Sequence, residues 1–201
     1  MKDIVISDAV KYIGADDKDL DLFESQYIVP NGVSYNSYVI LDEKIAVMDT
    51  IDTRKTDEWK ENLERVLDGR TPDYLVVSHL EPDHAGSIKE FADKYPEAKI
   101  VASAKAIAML PQFFEIADLA GSHTLQFFMA PMVHWPEVMV EYEKSEKILF
   151  SADGFGKFGA LDADEDWTCE ARRYYFNIVG KYGAQVQALL KKAATLDIQT
   201  I

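Results

Sequence analysis

Short apolar runs punctuated by polar turns set the first third of the chain. Val5 to Ile13 alternates loosely and predicts a first strand, and Tyr27-Ile28-Val29 predicts another, ended by the turn Pro30-Asn31-Gly32. Tyr38–Leu41 and Ile45–Met48 flank Asp42-Glu43-Lys44, the pattern of a hairpin with a short polar loop. The period then lengthens. Trp59, Leu63, Val66 and Leu67 share one face of a helix over Thr56 to Leu67, with Gly69 near its C′ position. Tyr74-Leu75-Val76-Val77 is apolar throughout, as in a strand covered on both faces. Ser87-Ile88-Lys89-Glu90 fits a capping box, and Ile88, Phe91, Ala92 and Tyr95 continue as a short amphipathic helix. Lys99–Ala102 predicts a strand, and Ser103 caps a helix running to Leu110 and stopped by Pro111. Gln112 to Gly121 carries no clear pattern. Thr124–Met129 predicts a strand, and Val138–Tyr142 with Lys147–Phe150 a hairpin. Thr168–Tyr182 and Ala184 to Ala194 predict two helices broken at Gly183.

Early hairpins imply antiparallel sheet, and the later strand–helix alternation implies a parallel portion. The expected class is therefore α/β (α+β), with two mixed sheets, helices outside them, and one domain over residues 1–201. Composition narrows the functions. The net charge is −14, from 21 Lys plus Arg against 35 Asp plus Glu, which argues against a nucleic-acid partner. No apolar run approaches the roughly 18 residues of a membrane span, and the N-terminus lacks the apolar core of a signal peptide. The one cysteine, Cys169, permits no internal disulfide and fits a cytoplasmic location.

The chemistry is concentrated after Tyr74–Val77. His79, Glu81, Asp83 and His84 place four potential metal ligands within six residues, between a strand and a helix. In extended chain His79, Glu81 and Asp83 face one cavity, with His84 turning in behind, and Pro82 keeps the loop from becoming helix. His134 and Asp153 also follow predicted strands, so three loops can line one cleft. Three imidazoles and three carboxylates suit iron, zinc or manganese, and the lack of clustered thiolates argues against iron–sulfur. So many ligands suggest two metals sharing a carboxylate, with Asp153, from its separate loop, as the natural bridge. His123 reads as an exposed surface histidine. Asp162, Asp164, Glu165 and Asp166 read as a solvated acidic face.

His79-x-Glu81-x-Asp83-His84, Met132-Val133-His134-Trp135-Pro136-Glu137, Ser151-Ala152-Asp153-Gly154-Phe155-Gly156 and Gly32-Val33-Ser34-Tyr35-Asn36-Ser37-Tyr38 together resemble the di-iron module of flavodiiron proteins. The resemblance extends over nearly the whole chain. It implies a metallo-β-lactamase-like αββα sandwich and a centre of two iron ions. His79, Glu81 and His134 would hold one iron, Asp83 and His84 the other, and Asp153 would bridge them. Zinc hydrolases of that superfamily usually carry His where Glu81 stands, and a carboxylate there favours a harder, redox-active metal. The sequence departs from the family by lacking a flavodoxin-like domain, hence a flavin site in this chain. It also lacks the C-terminal strand and last histidine ligand, since none of the 4 histidines lies beyond His134. These features lead to a non-haem di-iron protein that binds dioxygen, as an oxygen sensor or oxygen-binding protein. The alternative is an oxygen or nitric oxide reductase fed by a separate flavodoxin- or rubredoxin-like partner, and a zinc hydrolase stands behind both. The partner is thus a redox or a signalling protein, and the oligomeric state is left open, a homodimer included.

Overall fold

In this computed structural model, which describes residues 4–109 and 123–201, the early alternation builds a five-stranded sheet. Its strands are β1 (Val10–Tyr12), β6 (Tyr38–Leu41), β7 (Ile45–Met48), β8 (Tyr74–Val77) and β9 (Lys99–Ala102), in that order. The first three are antiparallel, and β7, β8 and β9 run parallel. The remaining early strands form two ribbons, β2 (Ala15–Asp17) with β5 (Val33–Tyr35) and β3 (Leu22–Phe23) with β4 (Tyr27–Ile28). The strand expected from Val5 is shorter than its pattern, because Val5 only bridges back to Lys11. A second sheet holds β10 (Leu125–Met129), β11 (Met139–Glu143) and β12 (Ile148–Phe150). These three strands are antiparallel, as short local connections require, and a parallel edge makes the sheet mixed, as expected. A parallel pairing enters as one bridge, Ile148 to Thr200.

Alternation along β7 and β8 distributes the core. Ala46, Met48, Tyr74 and Val76 face the second sheet and pack with Met139, Ile148 and Phe150. Ile45, Val47, Leu75 and Val77 face the other way, into a cluster with Trp59, Leu63 and Leu67 of α1 (Thr56–Leu67) and Ile88 and Phe91 of α3 (Ile88–Lys94). Tyr142 and Leu149 join that cluster from the outer face of the second sheet, with Val186 and Leu189 of α6 (Gly183–Ala193). The layers are helix, sheet, sheet, helix. A one-turn helix α2 (Pro82–Ala85) precedes α3, and α4 (Ala104–Met109) follows β9. Leu110, Pro111 and the unpatterned stretch to Gly121 lie outside the described residues.

Local expectations met long-range partners. Ser87 does not cap α3 through its side chain; it is buried, and its hydroxyl pairs with Thr56 Oγ1 at 2.7 Å. Ser103 does cap α4, accepting from the Ala106 N–H. Gly183 opens α6 instead of breaking a helix. The irregularity lies earlier, where α5 (Trp167–Tyr174) continues as a π-helical turn over Tyr175–Val179 and a 3-10 turn over Gly180–Tyr182. His123 is not exposed. It is 8% accessible, and its Nδ1 lies 2.7 Å from Asp42 Oδ2, tying the β6–β7 loop to the start of the second sheet. That contact holds the Asp42 carboxyl down at about 2. The acidic run is only partly solvated: Glu165 binds Lys157 and Asn31, and Asp166 caps α5 by accepting from the Cys169 N–H.

Leu75→Ala should cost about 2–5 kcal/mol, because it empties space between the first sheet and its helices. His123→Ala should cost less, about 0.5–1.5 kcal/mol, because it removes the imidazole from Asp42 but leaves the carboxylate the backbone N–H groups of His123 and Glu43. Urea unfolding checks both, as a lower midpoint at unchanged slope.

Candidate metal centre

Each side chain of the centre leaves the end of a strand. β8 runs through Ser78 to His79, and the chain is still extended at Glu81, with φ −62° and ψ 147°. It does not continue as an extended loop. Pro82 opens α2, since proline tolerates the first helical position, where its missing N–H is not needed. Glu81 therefore points back with His79, while Asp83 and His84 ride the helical turn to a neighbouring point. His134 lies in the loop from β10 to β11. Asp153 lies in a 3-10 turn, Ala152–Phe155, after β12. Asp49, Met132 and Ala152, all in these loops, have positive φ without being glycine. Such backbone costs about 1–3 kcal/mol each and persists where surrounding structure enforces it.

All six sequence-predicted ligands meet in two overlapping groups, His79–Glu81–His134–Asp153 and Asp83–His84–Asp153. Asp153 is common to both. Its Oδ2 lies 3.2 Å from the Nε2 atoms of His79 and His134, and its Oδ1 lies 3.2 Å from His84 Nε2. Glu81 Oε2 is 3.2 Å from His79 Nε2 and 3.1 Å from His134 Nε2. Two ligand atoms each about 2.1 Å from one ion stand about 3 Å apart at a near-right angle. Asp83 Oδ1 is buried without a hydrogen-bond partner, and Asp153 Oδ2, though 3.2 Å from two imidazole nitrogens, makes no well-aligned hydrogen bond to either, so both oxygens are free to meet an ion. The donor set and its spacing fit metal ions.

The charges agree. Burial opposes ionisation of His79, His134 and His84, yet the carboxylates around them win. His79 is pushed up to about 11, His134 to about 9, and His84 well above its ordinary value. Burial likewise opposes ionisation of Glu81 and Asp153, but the facing imidazoles hold both well below the carboxylate range. Burial lifts Asp83 to about 7. Without metal, protons on the imidazoles balance these carboxylates.

Several functional side chains escaped the sequence reading. Glu137 accepts from His79 Nδ1 at 2.8 Å and from the Leu80 N–H at 3.1 Å. Asp49 Oδ2 accepts from His84 Nδ1 at 3.0 Å. Each turns an imidazole so that Nε2 faces the centre. Glu137 stood within a recognised motif, three residues after His134, and Asp49 at a strand end, a signal shared with the ligands. Glu24, an exposed side chain, hydrogen-bonds Glu81, and that contact lifts it to about 7. The Tyr174 hydroxyl faces Asp153, and burial beside that carboxylate keeps it protonated. Gly156 makes room for the Tyr174 ring, which a Cβ there would meet at 2.6 Å.

An αββα sandwich with two overlapping histidine–carboxylate groups at one end of its sheets defines a metallo-β-lactamase-like domain. A family profile described as ODP family beta lactamase matches residues 33–182. The chain belongs to that family, and the proteins it resembles are flavodiiron proteins. It is 32% identical over 216 residues to the anaerobic nitric oxide reductase flavorubredoxin of Aliivibrio salmonicida, covering 97% of this chain and 43% of the relative. Among solved structures it superposes on the flavodiiron protein from Giardia intestinalis with a TM-score of 0.90 and 30% identity, over 99% of this chain and 53% of the other. With rubredoxin oxygen:oxidoreductase from Desulfovibrio gigas the TM-score is 0.87 at 28% identity, over 96% and 53%. The chain thus spans about half the length of these proteins.

Because the imidazoles hold protons to about pH 9 and above, metal must displace those protons to enter. Affinity should therefore rise steeply from pH 6 to pH 8, with protons released on loading; competition against a chelator at several pH values measures it. Glu137→Gln should weaken metal binding by about 10–100-fold, since it removes the charge behind His79.

Proposed function

We propose that this chain is the di-iron domain of an oxygen or nitric oxide reductase that receives electrons from a flavodoxin- or rubredoxin-like donor. The observation that carries the reading is Asp153, whose two oxygens serve two separate ligand groups. The relatives named as a nitric oxide reductase and an oxygen:oxidoreductase support the substrate class. His79, Glu81 and His134 would hold one iron, Asp83 and His84 the other, with Asp153 between them. When bound, an iron pair supplies electrons to dioxygen or nitric oxide. Asp49 and Glu137 keep the imidazoles oriented, and the Tyr174 hydroxyl donates a hydrogen bond to Asp153. A cavity of about 290 Å³ reaches Asp83, His84 and Asp153 between Phe23, Tyr38, Phe155 and Tyr174, walls that limit water around the reacting atoms.

Iron-loaded protein should consume dioxygen or nitric oxide continuously when supplied with reduced flavodoxin or rubredoxin. Without a donor it should react once and stop, because full reduction of dioxygen takes more electrons than two ferrous ions hold. An electrode trace with and without donor measures this. A reversible visible band on adding oxygen, with no turnover under any donor, would establish the oxygen-binding reading instead, and stoichiometric zinc without iron would revive the hydrolase. His79→Ala should abolish metal loading and consumption, whereas His123→Ala should keep both at the cost of stability.

The two sites should also differ in strength. Among the described residues the first group offers four side chains and the second three, so the Asp83–His84 site should load later and empty first. Metal titration of the 201-residue chain would show two unequal steps; two equally tight irons would contradict it.

A further inference from the structure

Glu141 lies in the middle of β11, and its surroundings are apolar. Its cross-strand neighbours are Phe127 and Phe150, Met139 precedes it on the same face, and Met48 and Val76 of the facing sheet belong to the same cluster. It is 0% accessible to solvent. One oxygen, Oε2, accepts from Ser78 Oγ at 2.9 Å, and the other, Oε1, has no hydrogen-bond partner. A carboxylate left in such a place is costly, so the group is kept as the neutral acid. Burial pushes it well above the carboxylate range, the field of Asp49 adds to this, and His84 works against it. The other titratable groups packed nearby are Tyr38, held up at about 12, Tyr74, and Glu143, whose carboxylate is occupied by the N–H groups of Thr124, Ser145 and Glu146.

An apolar residue of similar size would fill this space at less cost. What distinguishes the position is its connection. Ser78 precedes His79, and its N–H donates to Asp49 Oδ1 at 2.6 Å. Asp49 Oδ2 in turn accepts from His84 Nδ1. Glu141, Ser78, Asp49 and His84 thus form one hydrogen-bonded line from the space between the sheets to the second ligand group. We propose that Glu141 is a positioning residue that stores a proton for the metal centre, holding it while the metal pair is reduced and releasing it when the pair is oxidised. The proposal rests on the redox reading of the centre. One electron leaves each metal, to the substrate in turnover or to a mediator in a titration. One Glu141 O–H bond would break, its proton passing to the Ser78 hydroxyl that touches Oε2 as that hydroxyl gives up its own proton into the cavity that Ser78 lines. The added positive charge is then partly balanced by the new carboxylate. Each added positive charge strengthens the acid through the same field by which His84 already opposes its burial.

The test is a redox titration of anaerobically iron-loaded wild type and Glu141→Gln with chemical mediators, repeated across pH and followed by infrared spectroscopy. Glutamine keeps the shape and the neutrality. The wild-type midpoint potential should fall more steeply with pH, by one proton per metal pair oxidised. A carboxylic C=O band should be present in the reduced wild type, lost on oxidation, and absent from Glu141→Gln. Parallel slopes, or a band indifferent to oxidation, would overturn the proposal; if the variant fails to fold, the oxidation-sensitive band must persist in Glu24→Gln, whose carboxyl is the other one raised near the centre without being a candidate ligand, and its loss there would overturn the proposal. Mediators replace both dioxygen and donor protein. A pair that cycles with a Glu141-dependent slope yet consumes neither gas therefore sinks the reductase reading and leaves this one standing.

Discussion

The structure depends on one electrostatic constraint: Asp153, Glu81 and Asp83 converge on one small volume, where the groups that face them are the imidazoles of His79, His84 and His134. Something positive must occupy the gaps between their oxygens. In the metal-free chain it is imidazolium protons, and a pair of metal ions is the alternative that the spacing suits. Either cation set holds three loops from distant parts of the sequence against one another. The left-handed residues Asp49, Met132 and Ala152 show that those loops are bent into place at a cost the shared charges offset.

The two sheets supply the rigidity this needs. Parallel β7 and β8 bring Asp49 and His79 out side by side, and β12 delivers Asp153 from the facing sheet. The Ser78 N–H, the last amide before the first ligand, clamps Asp49, so the backbone of one strand positions the carboxylate that ends its neighbour. Orientation of the imidazoles is therefore a property of the sheet register as much as of the loops.

Much of this was legible in the sequence, for identifiable reasons. Tyr38–Leu41, Ile45–Met48, Thr56–Leu67 and Tyr74–Val77 matched because their pattern and their burial have the same period. The convergence of the six candidate ligands was legible because a short string framed by a strand and a helix is a local signal, and the motif strings carried the family. What failed was set by distant partners or by a rule applied too simply. His123 is buried because Asp42, 81 residues earlier, receives it, and no local pattern records that pairing. Ser87 is drawn to Thr56 instead of its own helix. Pro82 was taken as a helix breaker where it is a helix opener, which moved Asp83 and His84 from an extended loop to a turn. Glu141 hid in a strand that otherwise read as ordinary alternation.

The run from Tyr174 into α6 has a further consequence. Its π turn is wider than an α turn and rotates less per residue, whereas the 3-10 turn that follows is tighter and rotates more. The two departures offset one another, so Val186 and Leu189 still meet the second sheet while Tyr174 meets Asp153. Adding or removing one residue in this stretch would upset that compensation and swing α6 by about 100° about its axis. Phe176, Asn177 and Lys181 lie on the surface, so their identities are weakly constrained. At these three positions the chain is permissive about which amino acids it carries, and across the whole stretch, where Ile178 and Val179 are buried, it is strict about how many.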